Sequence, residues 1–516
     1  MRVMLAAMTI LLRPAPAVPV RSTTFNAPVL AVVGWTAVVL AIRLSIPLNH
    51  DVAWIMEGAQ RLLAGGQFGR DVVDANPPLA WWISCIPAAV ANVSGLGLGV
   101  SSVLFTTAAG LLSVWLTNAV LTRSDVASST RAILISLLPV PLLISPGYDF
   151  GQREHLMLIG AIPYAAAASL AAQGRKLDFR LALAVGLFAA PAFCLKPYFL
   201  VVPVFVEAWL ALRCRSLRIW LRPEFLVTPV FGVLYLAAIK LFAPDYLAVV
   251  MPEAAAIYWA FNAPVTRVVP LVAQFMAPPL LGWVLALVAK RSKPSLLAEA
   301  LGVSAIAGAV SAVLQMKGFS YHLVPGIGLA WVACLAEAAG LLRTRKAISV
   351  AILSLLVAWA ANVSFRELRD GTISRVEALA SVFRTYAGPG GTVYAFVTSP
   401  RDIHPAIVAS NTKWASVACC LYHLPAAVRA DERPRGDRAR ILSVADSQTN
   451  RALEDLFRAR PAVIVIDANA AKLGIDRPFA YLPYLSRFPG FAAFWRNYEE
   501  GKTVGGFRTF VRTGTP

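Results

Sequence analysis

Acidic side chains are scarce in this sequence. Its 516 residues include 28 Asp and Glu against 47 Lys and Arg, and charged residues of both signs make up only 15%. So little charge excludes a solvated, disordered chain. The net charge of +19 would suit a nucleic-acid binder. The Lys and Arg residues, however, fall in short loops between apolar blocks instead of along one soluble face. They read as topology signals and contacts to membrane lipids, and no nucleic acid is expected as a partner. Cysteine is also sparse: Cys85, Cys194, Cys214, Cys334, Cys419 and Cys420 have no metal-ligand spacing. Neither a disulfide framework nor a thiolate metal site is therefore expected. Internal repeats and low-complexity tracts are missing too, and with them the matching halves of many secondary transporters.

What is present is apolar. Hydrophobic residues make up 58% of the chain, mean hydropathy is +0.65, and the apolar residues come in blocks of about twenty, the length that crosses a bilayer as a helix. This pattern defines a polytopic α-helical membrane protein. Spans are expected near 28–48, 97–122, 132–147, 154–172, 181–195, 198–213, 224–243, 268–289, 297–315, 321–342 and 346–364. The start, MRVMLAAMTILLRPAPAV, has some features of a cleavable leader, but the next apolar block supplies the first crossing that the later loops require. Residues 1–27 are therefore read as a cytoplasmic segment. The loops that then lie inside carry Arg123 and Arg131, the 175–180 and 213–222 clusters, Lys290 to Lys293, and Arg343 to Lys346, as the positive-inside rule demands.

That topology holds only if LAWWISCIPAAVANVSG (79–95) does not cross. Its proline, two tryptophans and short apolar length suit a helix lying in the interface. Residues 51–63 read alike, with Val52, Ile55, Met56, Ala59, Leu62 and Leu63 on one stripe and Glu57, Gln60 and Arg61 opposite. The first outer loop, 49–96, is thus two juxtamembrane helices joined by the turn-rich AGGQFGRDVVDANPP. After about residue 365 the hydropathy falls. VEALASVFRTYA predicts an amphipathic helix, GTVYAFVTS a buried strand, RALEDLFRARPAVIVIDAN a helix leading into a strand, and FRTFVRT a closing strand. Residues 365–516 are expected to form a soluble α/β domain outside the membrane.

Four stretches on the outer side concentrate ionisable groups: the first loop with Asp51, Glu57, Asp71 and Asp74; PGYDFGQREHL (146–156) with Asp149, Arg153, Glu154 and His155; CLKPYF (194–199) with Lys196; and QMKGFSYHLVP (315–325) with Lys317, Tyr321 and His322. Charges at that depth are costly unless they serve a site or a partner. Each group also has a plain structural reading. Asp51 suits a helix cap, Glu57 a solvated face, Asp71 and Asp74 a turn, the two lysines snorkelling anchors, Arg153 and Glu154 a local pair, and His322 an interface hydrogen bond. In the soluble part, His404, Trp414 and His423 are read as ordinary packing. The chemistry lies in the combination. A carboxylate takes a proton from an acceptor hydroxyl while Lys, Arg and His hold a departing phosphate.

HDVAWIMEGAQRLLAGG followed by DANPPLAWW, then PGYDFGQREHLML, CLKPYF and QMKGFSYHLVP resemble, in order, the membrane-embedded GT-C glycosyltransferases that use polyprenyl-phosphate sugars. Protein O-mannosyltransferases and the bacterial aminoarabinose transferase of lipid A belong to that superfamily. The resemblance runs from residue 28 to about 345 and implies a GT-C-like catalytic domain over 28–364, a soluble outer domain following it, and transfer with inversion at the sugar carbon. By position it implies Asp51 as base and Asp149 as second acid, with Glu154 competing for that place. It implies Lys317, Lys196, Arg153 and His322 as donor-phosphate contacts, and Glu154, His155, Tyr321 and Glu57 as further substrate-binding residues. The expected partners are a polyprenyl-phosphate sugar and an envelope lipid, glycan or protein acceptor, at the outer face of a bacterial inner membrane. Where related first loops often read Asp-Glu, Asp51 is followed by Val52, which weakens a paired-acid metal site. No particular cofactor is implied, and a divalent cation (Mg or Mn) stays open. A flippase for polyprenyl-linked glycans is the rival reading, and a scaffold binding through the outer domain is a third.

Overall fold

In hydrocarbon a backbone N–H or C=O finds no water, so an apolar run must satisfy its own polar groups by coiling into a helix. The computed structural model describes residues 27–513. The expected segment 1–27, like the leader weighed above, therefore falls almost wholly outside the described residues. In chain order the helices are α1 (Ala27–Leu44), α2 (His50–Leu63), α3 (Leu79–Ser94), α4 (Leu98–Leu121), α5 (Ser128–Leu137), α6 (Arg153–Ala172) and α7 (Phe179–Cys194). They continue with α8 (Val201–Cys214), α9 (Pro223–Phe242), α10 (Met251–Ile257), α11 (Val265–Lys290), α12 (Leu296–Leu314), α13 (Val324–Leu341) and α14 (Lys346–Arg369). Among the described residues nine helices are long and apolar enough to cross a membrane, and the shorter apolar stretches Ser128–Ile144 and Phe179–Cys194 stand where the other two spans are expected. A further apolar stretch, Tyr246–Phe261, is helical where the sequence reads as loop.

The expected continuous helix over 132–147 is instead interrupted. After α5 come Pro139 and a π-helical turn, Val140–Ile144, because a proline has no N–H for the helical ladder. Pro146 cannot serve the Leu142 carbonyl four residues earlier, and His155 Nε2 takes that carbonyl at 2.7 Å while its Nδ1 accepts the Gly151 N–H at 2.9 Å.

Helices α2 and α3 form where the sequence pattern predicts them, and α3 is shorter than the helices long enough to cross a membrane. Leu48 and Gly99, at opposite ends of the first loop, are neighbours: a Cβ on Gly99 would stand 3.8 Å from the Leu48 side chain. Helices α12 and α13 approach closely through small residues. A Cβ on Gly308 would lie 2.8 Å from the Gly326 amide nitrogen.

Beyond α14, Gly371 turns the chain at φ +74° into α15 (Thr372–Tyr386), the first helix of the outer domain. There follow β1 (Thr392–Phe396), α16 (Ile403–Ser410), β2 (Lys413–Trp414), α17 (Leu424–Val428), α18 (Arg435–Ala459), β3 (Val463–Asp467), α19 (Tyr481–Leu485), α20 (Phe491–Trp495), β4 (Tyr498–Glu500) and β5 (Phe507–Arg512). The five strands run in the order β2-β1-β3-β5-β4. Strands β2, β1 and β3 are parallel, and β5 is antiparallel to β3 and β4. The parallel pair TVYAF and VIVID is covered by helices, so both read as apolar runs without alternation.

The domain sits on the polar face of α2. Arg61 donates to the carbonyls of Trp414 at 2.7 Å and Ser416 at 2.6 Å, and the Val73 N–H donates to the Val417 carbonyl at 2.7 Å. Glu57, read from sequence as solvated, is buried with its Oε1 2.8 Å from His404 Nδ1. The first loop and the outer domain therefore lie on one side, as an even number of crossings between them requires.

Gly308→Ala should destabilise the helix bundle by about 1–3 kcal/mol, since neither backbone yields easily to the added methyl. Gly232→Ala in α9, with nothing within 4 Å of its Cβ position, is the neutral control. Thermal unfolding in detergent compares the two.

Candidate functional site

The first turn of α2 sets the geometry. Asn49 is the N-cap, its Oδ1 accepting the Asp51 N–H at 2.9 Å. Asp51 is thus relieved of the capping role and its carboxylate points outward at the positive end of the helix. Asn49 is itself held by Gln152, whose Nε2 donates to the same Oδ1 at 2.9 Å, and by the Tyr148 carbonyl, which accepts from its Nδ2 at 3.1 Å. One asparagine so ties the start of α2 to the start of α6.

Asp51 is one-fifth exposed; its Oδ2 stands 3.2 Å from the Arg153 guanidinium and its Oδ1 3.5 Å from His50 Nε2. Burial works to raise its carboxyl, but His50, Arg153 and Lys196 together outweigh burial and hold it below the usual carboxylate range. Asp149 is displaced the other way. Burial, then the neighbouring Glu154, Asp51 and Glu367, push it well above that range, against Arg401. Its nearest amide is Asn49 Nδ2, at 3.4 Å. Two carboxyls displaced in opposite directions are suited to divide the roles of proton acceptor and proton donor. Asp74 is also raised, chiefly by burial, and accepts from Trp54 Nε1 at 3.1 Å and from the Asn76 N–H at 2.8 Å.

These groups face a cavity of about 370 Å³. Its floor comes from α2 and the second outer loop: His50, Asp51, Trp54, Tyr148, Asp149 and Arg153. Asp74, Tyr258 and Tyr321 close its sides, and the outer domain roofs it with Thr398, Arg401, Cys419, Cys420 and Tyr422. A second groove of about 600 Å³, with apolar walls between the helices and charged residues (Arg366, Glu367, Asp370) at one end, runs between α11 (Gln274, Phe275, Pro278) and α14 (Trp359, Asn362, Val363) and meets the first cavity at Tyr148, Asp149, Ser320 and Arg401. Arg401 closes over this junction, 5.6 Å from the Tyr148 ring and 2.7 Å from Asp370.

Of the residues singled out from sequence, Asp51, Asp149, Arg153 and Tyr321 line the cavity. Lys196 and Glu154 lie one layer behind as a buried pair at 2.6 Å, with Gln315 Oε1 at 3.3 Å from the ammonium and His322 Nε2 at 3.9 Å from the carboxylate. The expected local pairing of Arg153 with Glu154 is thus replaced: each bonds across to another element. Three others stand apart. His155 is committed to the Leu142 carbonyl, Glu57 to His404, and Lys317 to the Tyr258 carbonyl and Asn262 Oδ1, both at 2.7 Å. Burial lowers Lys317 to about 8.

Arg401, Tyr148, His50 and Tyr258 were not singled out. Only Tyr148 and His50 had a signal, as neighbours of the acids in the quoted motifs; Arg401 follows a strand in a plain SPRD turn. Among the described residues no group of three or more His, Cys, Asp or Glu is placed to hold a metal ion. The cation beside Asp51 is the Arg153 guanidinium, 3.2 Å away.

No protein-family model and no curated protein matches the sequence. Solved structures do match the fold. ArnT from Cupriavidus metallidurans bound to undecaprenyl phosphate superposes with a TM-score of 0.59 at 14% identity, over 94% of this chain and 99% of that one. The apo state of the same protein gives 0.58 over the same shares. The mycobacterial arabinofuranosyltransferase AftD gives 0.44 at 13% identity, over 94% of this chain and 40% of that one. The likeness to ArnT, along nearly all of both chains, establishes the GT-C-like fold: a polytopic helical membrane part carrying a soluble α/β domain.

Glu154→Leu should destabilise the protein by about 3–5 kcal/mol because it strands the buried Lys196 ammonium, while adding Lys196→Met should recover most of that loss. Thermal unfolding of the single and double variants measures the coupling.

Proposed function

We propose that this chain is an inverting glycosyltransferase that moves a sugar from a polyprenyl-phosphate carrier to an envelope acceptor (lipid, glycan or protein) on the outer face of the inner membrane. The observation that carries this reading is the opposed pair of carboxyls. Asp51, held low by its cationic neighbours including Arg153, and Asp149, pushed high by burial and by the acids around it, face one cavity, and that cavity continues into a groove between helices. The fold shared with ArnT, a protein whose structure holds undecaprenyl phosphate, supports it.

In this reading Asp51 takes the proton of the acceptor hydroxyl as the oxygen attacks the sugar carbon. The bond from that carbon to the carrier phosphate breaks on the opposite face, and the phosphate leaves with the bonding electrons. Arg153, in the cavity wall, receives the phosphate charge. Lys196 behind it supplies a second cation and keeps Arg153 turned toward Asp51. Asp149 donates its proton as a hydrogen bond to the incoming sugar or acceptor oxygen. Tyr321 lines the same wall, while Lys317 and His322 act from behind through Tyr258 and Glu154. The apolar groove takes the prenyl chain.

The two acids then differ in their tolerance of amide replacement. Asp51→Asn should lower turnover roughly a hundredfold or more, the scale of a lost general base. Asp149→Asn keeps an N–H donor and should stay within about tenfold of wild type at neutral pH. Wild-type kcat/KM should fall in acid as Asp51 protonates and at high pH as Asp149 loses its proton, and Asp149→Asn should lack only the alkaline fall. The assay follows free carrier phosphate released by purified protein from a panel of polyprenyl-phosphate sugars, with a crude envelope-lipid acceptor. A fully active Asp51→Asn enzyme would refute the assignment, and bound carrier without release across the panel would favour the flippase. A chelator arm should leave turnover unchanged.

A further inference from the structure

The cavity roof contains two adjacent cysteines that the proposed chemistry does not use. Cys419 and Cys420 both line the cavity, with their sulfurs 3.5 Å apart. Cys419 is half-buried toward the cavity, while Cys420 is 5% exposed and directs its thiol at the Thr398 carbonyl, 3.5 Å away. The hydrogen bond between the sulfurs, then burial, raise Cys419 well above the ordinary thiol range. The other four cysteines, Cys85, Cys194, Cys214 and Cys334, are all in membrane or juxtamembrane helices.

The backbone of this pair is connected to α2. The Cys419 carbonyl accepts from His404 Nε2 at 2.8 Å, and His404 Nδ1 lies 2.8 Å from Glu57 Oε1. Glu57 is six residues beyond Asp51 on α2. On the other flank, the Leu421 N–H is fixed to the Val397 carbonyl at 2.9 Å. A rotation of the Cys419–Cys420 peptide is thus blocked toward β1 and transmitted toward His404.

We propose that Cys419 and Cys420 are a modification site, a vicinal dithiol that closes to a disulfide by exchange with an external disulfide and in closing loosens the His404–Glu57 contact that seats the outer domain on α2. The Cys419 thiolate attacks the external disulfide RS–SR, forming a mixed disulfide and releasing one RS⁻. Cys420 then attacks the Cys419 sulfur and releases the second RS⁻. Both leaving groups take up the protons that the two thiols gave, so the pair is oxidised by two electrons and one RS–SR becomes two RSH. Greater exposure makes Cys419 the attacking sulfur and leaves Cys420 the resolving one.

The ring cannot close without moving the peptide. Neighbouring Cα atoms across a trans peptide are about 3.8 Å apart, less than the roughly 4.4–6.8 Å that disulfides span. The sulfurs must also come in to about 2.05 Å. The displaced group is the Cys419 carbonyl that His404 holds. The ring is therefore strained, readily reduced again, and suited to reversible control.

The experiment treats the purified full-length chain with hydroxyethyl disulfide, then with dithiothreitol. Closure should lower the intact mass by about 2 Da, with the change mapped to the peptide holding residues 419 and 420. Amide hydrogen exchange over residues 50–63 should rise and return on reduction. Cys419→Ser should show neither change, and Cys420→Ser should retain a mixed disulfide at 419. The effect on turnover rests on the cavity being the reaction site: transfer should fall roughly tenfold to a hundredfold on closure and recover on reduction. Two free thiols persisting under excess disulfide, or closure with unchanged exchange in α2, would overturn the proposal. A reduced wild type that transfers no sugar defeats the proposed function instead, since the mass and exchange results still decide this one.

Discussion

The polar face of α2 must be covered for the cavity to exist. A juxtamembrane helix normally turns such a face to water, but here Arg61 is held by two outer-domain carbonyls and Glu57 by His404, so the soluble domain rests on the helix that carries Asp51. Floor and roof are consequently fixed against each other, and the cations and acids between them are withdrawn from bulk water. Neighbouring charge is what separates Asp51 from Asp149: burial acts on both in one direction, cations overcome it at Asp51, and Glu154, Asp51 and Glu367 add to it at Asp149.

A second constraint comes from prolines inside membrane-depth backbone. Pro146 leaves the Leu142 carbonyl without a helical donor, and His155 fills the gap. The same turn brings Tyr148 and Asp149 down beside Asn49, whose side chain caps α2 and reaches the second loop at once. The break in the expected 132–147 helix is thus the means by which a loop acid enters the cavity.

Much of this was legible in the sequence because hydropathy period and length respond to local environment. The two juxtamembrane helices, the membrane helices and the strands TVYAF and VIVID follow from pattern alone. Long-range pairing does not. Glu57 and His404 are 347 positions apart, and nothing in either neighbourhood announces the other. His155 looked like a site residue because its neighbours are charged, while its partner is a backbone carbonyl whose vacancy depends on a proline nine positions away. Lys317 looked like a phosphate contact because its partner lies 59 positions away, in the helical stretch Tyr246–Phe261 outside the expected spans, whose Tyr258 carbonyl takes the ammonium. Strands β2 and β4, at two and three residues, are too short to leave a period-two signature.

The outer domain is joined to the membrane part covalently at one place, where Gly371 interrupts an otherwise continuous helix from Lys346 to Tyr386. A single left-handed residue is a natural pivot, yet the contacts to α2 stand on the far side of the cavity from it and act as a clasp. Lifting the roof would break those contacts together. The roofed cavity and the groove between α11 and α14 share one junction, at Tyr148, Asp149, Ser320 and Arg401, so any molecule long enough to occupy both lies across Asp149.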